Sequence, residues 1–373
     1  MIYLDNAATT RPNNSAVQAA LKYVQDDFFN PSALYREGFA AHKELEIARK
    51  NVLSLIADAG DFELIFTASG SEADNQAYFS CALRGNIVTT EGEHAAGYNS
   101  AKELARRGFE VRFAKLNADG SVNAEHLLEL IDENTSFVSV IHVNNETGAI
   151  NPIAELARCV KQNNKSTIFH SDGVQAFGKI PFTLPREIDL YTVSAHKIGG
   201  VRGAAALIKR KNIHIRPLIY GGGQENGLRS GTENVFAIKQ FEFAAMEKYA
   251  ALKKDFERIR SYNEKLRTNL RKDLFEILSS LQASPYIVSV SAKGLRGEVL
   301  MHMLNDRGLI VGTGSACSSK NRYSRVMLAC GLNDKRADGV LRISFSPQNT
   351  AEEIDEAVGI MNACAGELSE RMR

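Results

Sequence analysis

Several short segments of the 373-residue chain carry groups able to do chemistry. SAHK (194–197) presents an amine on Lys197, with Ser194 and His196 beside it. SDGVQ (171–175) offers a carboxylate on Asp172 and an amide on Gln175. NNETG (144–148) supplies Asn145, and His94 follows NIVTTEGE (86–93). ASGSEADN (68–75), with Gly70 and Ser71, is small, contains glycine and opens a helix, so its free N–H groups suit a phosphate. Taken singly, each has a plain reading: a capped turn, a helix-capping Asp, a structural His. Together they form the set that pyridoxal phosphate requires. Its aldehyde takes a lysine as a Schiff base, and its ring nitrogen needs a carboxylate to stay protonated. The phosphate needs hydroxyls, a cation and helix-terminal N–H groups, and the flat ring needs a flat neighbour.

One further group stands apart. GTGSACSSK (312–320) sets Cys317 among glycines and serines, with no other Cys or His within four residues. Local metal-ligand spacing is therefore absent, and by itself the thiol reads as a small apolar residue.

The elements that must position these groups alternate. FELIFT (62–67), NIVTT (86–90), EVRFAKL (110–116), SFVSVIHV (136–143), STIFHSD (166–172) and DLYTVSAH (189–196) read as strands. Residues 71–84, 95–108 and 123–132 read as helices, the first capped at Ser71 and the last at Asn123. Such alternation predicts an α/β fold with a mostly parallel sheet flanked by helices, and ligands bind outside the carboxyl ends of such strands. The groups above all follow strands. From Val235 to about Leu281 neither proline nor glycine occurs, and apolar residues recur three and four apart, which predicts one long helix or two stacked ones. A strand (286–292), a helix (297–308), a strand (341–346) and a closing helix (350–365) follow. The expected organisation is a large domain over 15–255 and a smaller α/β domain formed by 1–14 with 256–373.

Bulk composition excludes some roles. A net charge of +1, from 45 basic and 44 acidic residues, argues against direct binding of nucleic acid or an anionic membrane. Five widely spaced cysteines without a CxxC argue against a disulfide framework and for a reducing, cytoplasmic setting. MIYLDNAATT has no basic n-region, and no apolar run reaches membrane-span length.

The motifs YLDNAATT (3–10), NPS (30–32), FTASGSEADN (66–75), EHAA (93–96), HVNNETG (142–148), SDGVQ, SAHKIGG (194–200), GGGQENGLRSGTEN (221–234), GSACSS (314–319) and LRISFS (341–346) occur in one order along nearly the whole chain. On these the sequence resembles the cysteine desulfurases of the NifS/IscS type, class V aminotransferases of pyridoxal phosphate fold type I. The resemblance implies a seven-stranded sheet in the large domain and a homodimer. It implies that Lys197 carries the cofactor and later moves the Cα proton, that Asp172 pairs with the pyridinium nitrogen, and that His94 stacks on the ring. Asn145 and Gln175 would bond ring substituents, chiefly the phenolic oxygen. Gly70, Ser71, Ser194 and His196 would hold the phosphate, with Thr232 lent by the neighbouring subunit. Arg342, with Asn145, would bind the carboxylate of L-cysteine. Cys317 would accept the sulfur as a persulfide, leaving alanine, and would pass it to an acceptor such as an iron–sulfur scaffold or a tRNA-thiolation enzyme. No resident metal is implied, although Cys317 could transiently ligate a cluster iron.

An unperturbed thiol, of pKa about 8.5, is only about 3% ionised at pH 7, so a cationic approach to the pocket is expected to raise that fraction. The roughly 13 residues between Gly312 and Arg325 could be loop; half of them, extended at about 3.3 Å each, reach about 20 Å. This form matches the longer-loop branch of the family. Departures are Val201 where proline is common, Thr313 where serine is usual, and a scaffold-docking tail that is short or missing. Rival readings are an aminotransferase, which needs no mobile thiol, a selenocysteine lyase, a catalytically idle docking subunit, and a cysteine hydrolase, for which no base stands near Cys317.

Overall fold

The computed structural model describes residues 1–82, 84–313 and 323–372. In chain order the first part comprises β1 (Ile2–Leu4), α1 (Asn14–Ala20), α2 (Lys22–Gln25), α3 (Arg36–Ser54), β2 (Phe62–Thr67), α4 (Gly70–Cys81), β3 (Asn86–Thr90), α5 (Ala95–Arg106), β4 (Glu110–Ala114), α6 (Ala124–Glu129), β5 (Thr135–Ser139), α7 (Ile153–Asn163), β6 (Ile168–Asp172), β7 (Leu190–Ser194) and β8 (Ala205–Arg210). Then come α8 (Val235–Ala250), α9 (Leu252–Asn269), β9 (Phe275–Ile277), β10 (Ile287–Ala292), α10 (Gly297–Asp306), β11 (Leu309–Val311), α11 (Arg325–Ala329), α12 (Asp334–Asp338), β12 (Val340–Ser344) and α13 (Ala351–Arg371).

Among the described residues one seven-stranded sheet has the order β2-β8-β7-β6-β5-β3-β4. Only β8 runs antiparallel to its neighbours. Neighbouring residues of one strand serve opposite faces. Leu64 and Phe66 join one apolar cluster, with α3 and α8, while Ile65 joins another, with Ala73, Ala77 and Tyr78 of α4. Both faces are thus covered, which is why all five residues of β7 are buried and the parallel strands read as nearly continuous apolar runs. Strand order reverses between β3 and β5, so the loops after these strands diverge and open a crevice at their carboxyl ends.

A second core gathers Ile2 and Leu4 with Ile259, Val288, Ile343 and Met361. Here β9 and β12 flank β10 in an antiparallel sheet, and β1 pairs in parallel with β11. No described helix is long and apolar enough to cross a membrane.

The structure alters several expected elements. The helical stretch ends at Asn269, and Phe275–Ile277 forms a strand against β10. No glycine or proline marks that ending, and the apolar residues Leu270, Leu274 and Phe275 serve the second core in either conformation. Ser69, not Ser71, caps α4: its hydroxyl accepts the Glu72 N–H at 3.1 Å, and Glu72 accepts from Ala68 N at 3.0 Å. β5 stops at Ser139, short of residue 143, because His142 and Val143 continue into a buried turn where Val143 bridges Ile150. Residues 14–54 form three helices and 205–210 a strand, for none of which the sequence reading offers an element.

Candidate active site

The strand ends converge on one cavity of about 230 Å³. After β3, His94 caps α5, its Nδ1 accepting the Ala96 N–H at 3.2 Å. That bond leaves Nε2 as the N–H of the neutral ring. After β5, the buried side chain of Asn144 ties the next turn: Oδ1 accepts from Glu146 N at 2.9 Å and Thr147 N at 2.8 Å, while Nδ2 donates to Gly92 O at 2.9 Å. Asn145 is thereby set at the cavity wall. Asp172 ends β6 and accepts from Val174 N at 2.9 Å. Gly173 follows it under the Tyr191 ring; a Cβ there would lie 1.9 Å from Tyr191 Cζ, so only glycine fits. β7 delivers Ser194 and then a tight turn, Ala195–Lys197. Lys197 Nζ donates to the carbonyls of Ala7 and Ala8, each at 2.7 Å. From β12, Arg342 reaches Asn145 O with Nη1 and Asp5 Oδ1 with Nη2, both at 2.8 Å.

Burial dominates the electrostatics. It pushes the Asp172 carboxyl up, against the opposing pull of His94 and Lys197. Asp74, fully enclosed on α4, is raised well above the usual carboxylate range by burial and by Asp172. The ligating atoms of Asp74, His94 and Asp172 all lie within 4.8 Å of one another. Burial lowers His94, with Asp172 opposing. His196, whose Nδ1 lies 3.2 Å from Thr9 Oγ1, is lowered to about 3 by burial and by Lys197, and so is neutral at pH 7.

Two buried atoms of the cavity wall lack a hydrogen-bond partner among the described residues: Ser194 Oγ and Arg342 Nε. A buried polar atom left unpaired costs about 1–3 kcal/mol, so such atoms mark where a ligand belongs. Ser194 Oγ stands beside Gly70 and Ser71, where a phosphate would find a hydroxyl and helix-terminal N–H groups. Arg342 Nε suits a carboxylate. The residues present therefore fit pyridoxal phosphate with an amino acid beside it.

Residues 2–357 match the model of the aminotransferase class-V family. The chain belongs to the cysteine desulfurase branch of the class-V aminotransferases. It is 35% identical to a cysteine desulfurase of a Nostoc species, over 100% of this chain and 94% of that protein. Among solved structures it resembles a NifS-like protein, with a TM-score of 0.93 and 33% identity, covering 98% of this chain and 100% of that one. It also resembles a structure of SspA in complex with cysteine, with a TM-score of 0.81 and 27% identity, covering 94% and 100%.

For this desulfurase-family chain the cavity brings together Gly70, Ser71, His94, Asn145, Asp172, Gln175, Ser194, His196, Lys197 and Arg342. Thr232 does not line it and is exposed. Cys317 lies outside the described residues; the flanks of its segment do not. Gly312 pairs with Arg342, at 3.0 and 2.8 Å. Ser324 donates to Glu146 Oε2, and the Arg325 guanidinium stacks 3.6 Å over Tyr98 and donates to Glu93 O at 2.6 Å. Both flanks are thus fastened beside Asn145 and His94. Sequence reasoning missed Asp74, Ser69, Ala7, Ile141 and Val174 in the lining. Asp74 is on view in SEADN, but as one of several helix-start acids it carries no signal of burial.

Proposed function

We propose that the chain is a pyridoxal phosphate-dependent cysteine desulfurase that converts L-cysteine to L-alanine and leaves a persulfide on Cys317. What supports this most is the single cavity in which an amine, a buried carboxylate, an imidazole and an unpartnered guanidinium nitrogen meet. The sequence relatives and the cysteine-bound structural neighbour add to it. In this reading Lys197 holds the cofactor's aldehyde, Asp172 its ring nitrogen, and Gly70, Ser71, Ser194 and His196 its phosphate, with Thr232 of a second copy completing the phosphate site in a homodimer. Asn145 and Gln175 contact the ring substituents. When bound, the cofactor withdraws electrons from the substrate's Cα and so weakens the Cβ–S bond.

The chain's own residues do the rest. Arg342 binds and orients the substrate carboxylate, presenting Nε. The Lys197 amine would take the Cα proton and return it. His94 manages the proton on the substrate sulfur through Nε2. The Cys317 thiolate attacks that sulfur: the S–S bond forms, the Cβ–S pair stays with carbon, and a proton makes the alanine methyl. The balance is one thiol and cysteine in, one persulfide and alanine out. The separate apolar cores favour the division into 15–255 and 1–14 with 256–373. A reducing cytoplasm and an acceptor protein, such as an iron–sulfur scaffold or a tRNA-thiolation enzyme, complete the reading.

The test is to load the purified chain with pyridoxal phosphate, add L-cysteine, and measure alanine together with the mass of the Cys317 peptide. The expected result is alanine formation and a gain of about 32 Da on that peptide. Cys317→Ala should lose both while still binding the cofactor, and Lys197→Ala should lose covalent attachment. Sulfur mapped to any other residue, or alanine formed undiminished without Cys317, overturns the proposal.

A further inference from the structure

The Gln175 amide is held at both ends. Nε2 donates to Ala7 O at 2.8 Å, and Oε1 accepts from Lys179 Nζ at 2.8 Å. Gln175 lines the active cavity, whereas Lys179 does not. It lies four residues further along, in the turn that follows β6, and lines a neighbouring cavity of about 230 Å³ that Lys197 also lines.

Lys179 is only 4% exposed. Among the described residues no carboxylate is paired with it, whereas the nearby buried Lys248 has Asp255 at 3.1 Å. The charged groups that face Lys179 are Lys197, Lys248 and Arg342. His196 senses it as well, and the Tyr286 ring centroid is 5.9 Å from its Nζ. A buried amine among cations is costly, so packing alone gives no reason for a lysine here. Burial, then Lys197, Lys248 and Arg342, pushes its ammonium well below the usual range. Charged or neutral, the amine still carries N–H donors for Gln175 Oε1.

The two ends of an amide are nearly the same size, so its partners decide which way it points. With Oε1 engaged by Lys179, the nitrogen end turns to Ala7, and its second N–H remains at the cavity wall. We propose that Lys179 is a positioning residue: it fixes the Gln175 amide so that a donor, and not a carbonyl, meets the ligand there, which selects an anionic oxygen at that point. This rests on the reading that the cavity takes pyridoxal phosphate with its phenolic oxygen at Gln175. A donor at that oxygen stabilises the anion and disfavours protonation of the bound chromophore.

The test uses the full chain loaded with pyridoxal phosphate and reads two quantities besides activity: the pH midpoint of the visible absorbance, and cofactor affinity by equilibrium dialysis. Lys179→Met should raise the midpoint by about one unit and weaken affinity about tenfold. In a Gln175→Leu background the same substitution should move the midpoint by less than about a third of that, because its route is gone. Lys179→Gln, which keeps a donor, should recover most of the shift and gives the comparison if Lys179→Met does not fold. Equal shifts in both backgrounds, or none in either, overturn the inference. An unsubstituted chain that takes up no pyridoxal phosphate instead overturns the functional reading beneath it.

Discussion

Arg342 Nη2 lies 2.8 Å from Asp5 Oδ1, joining residues 337 positions apart in the chain. The contact is buried on the Arg342 side, where the side chain is 7% exposed. Nη1 is spent on Asn145 O, so two of the three guanidinium nitrogens fix its plane, while Nε has no hydrogen-bond partner among the described residues. The segment around Asp5 therefore acts as a bracket for the arginine as well as a strand end.

From this bracket follows a kinetic expectation. Arg342→Lys keeps the charge but loses the planar fork, and should raise KM for L-cysteine about 10- to 100-fold. Asp5→Asn keeps a hydrogen-bond acceptor and should raise KM by less, with kcat nearly unchanged. Steady-state kinetics decide; an unchanged KM in Arg342→Lys removes Arg342 from substrate binding.

Gly173 should tolerate no side chain. A Cβ would meet Tyr191 Cζ at 1.9 Å, and Tyr191 is itself held by His142 at 2.8 Å in a fully buried position. Gly173→Ala should cost about 2–4 kcal/mol in urea unfolding and displace the adjoining Asp172, with loss of cofactor affinity. Adding Tyr191→Leu should restore part of the lost affinity. A Gly173→Ala chain of unchanged stability would show that the strand accommodates the methyl.

Glu93, buried beneath the loop that carries His94, is pushed up to about 8 by burial, although it accepts from Thr90 Oγ1 at 2.7 Å and Ile141 N at 2.8 Å. A carboxyl whose folded pKa exceeds its unfolded value binds more protons when folded. Its contribution is complete below about pH 4.5 and is lost as pH rises through about 8. Relative to the isosteric Glu93→Gln, the unsubstituted chain should lose about 1 kcal/mol of stability per pH unit between pH 5 and 8. Parallel denaturation curves for the two proteins across that range would refute the assignment.

Much of this site was legible because each functional group follows a parallel strand, and such strands announce themselves as short apolar runs. Lys197, Asp172, Asn145 and His94 could be placed on one rim from that rule alone. The turn at NNETG, which the Asn144 side chain ties by accepting from Glu146 N and Thr147 N, is a finding of the structure. Other features depend on distance in sequence. Nothing near Lys197 announces that its amine will rest on Ala7 and Ala8, and nothing near Asp74 announces that α4 packs it behind Asp172. The strand Phe275–Ile277 has the pattern of a helix in the sequence because its apolar residues satisfy the second core in either conformation, and only its pairing with β10 decides. The strand Ala205–Arg210 carries no clear signal in the sequence, since alanine has little preference for a strand and its support comes from β2 and β7 on either side.

The pairing of Ile2–Leu4 with Leu309–Val311, and of Asp5 with Arg342, has a consequence for biosynthesis. Ile2–Leu4 and Asp5 must wait for segments made much later before they find their place. Until then Lys197 lacks its carbonyl perch and Arg342 its brace, so a nascent chain exposes the large sheet without a finished crevice. The crevice is thus complete only once those later strands have joined the first one.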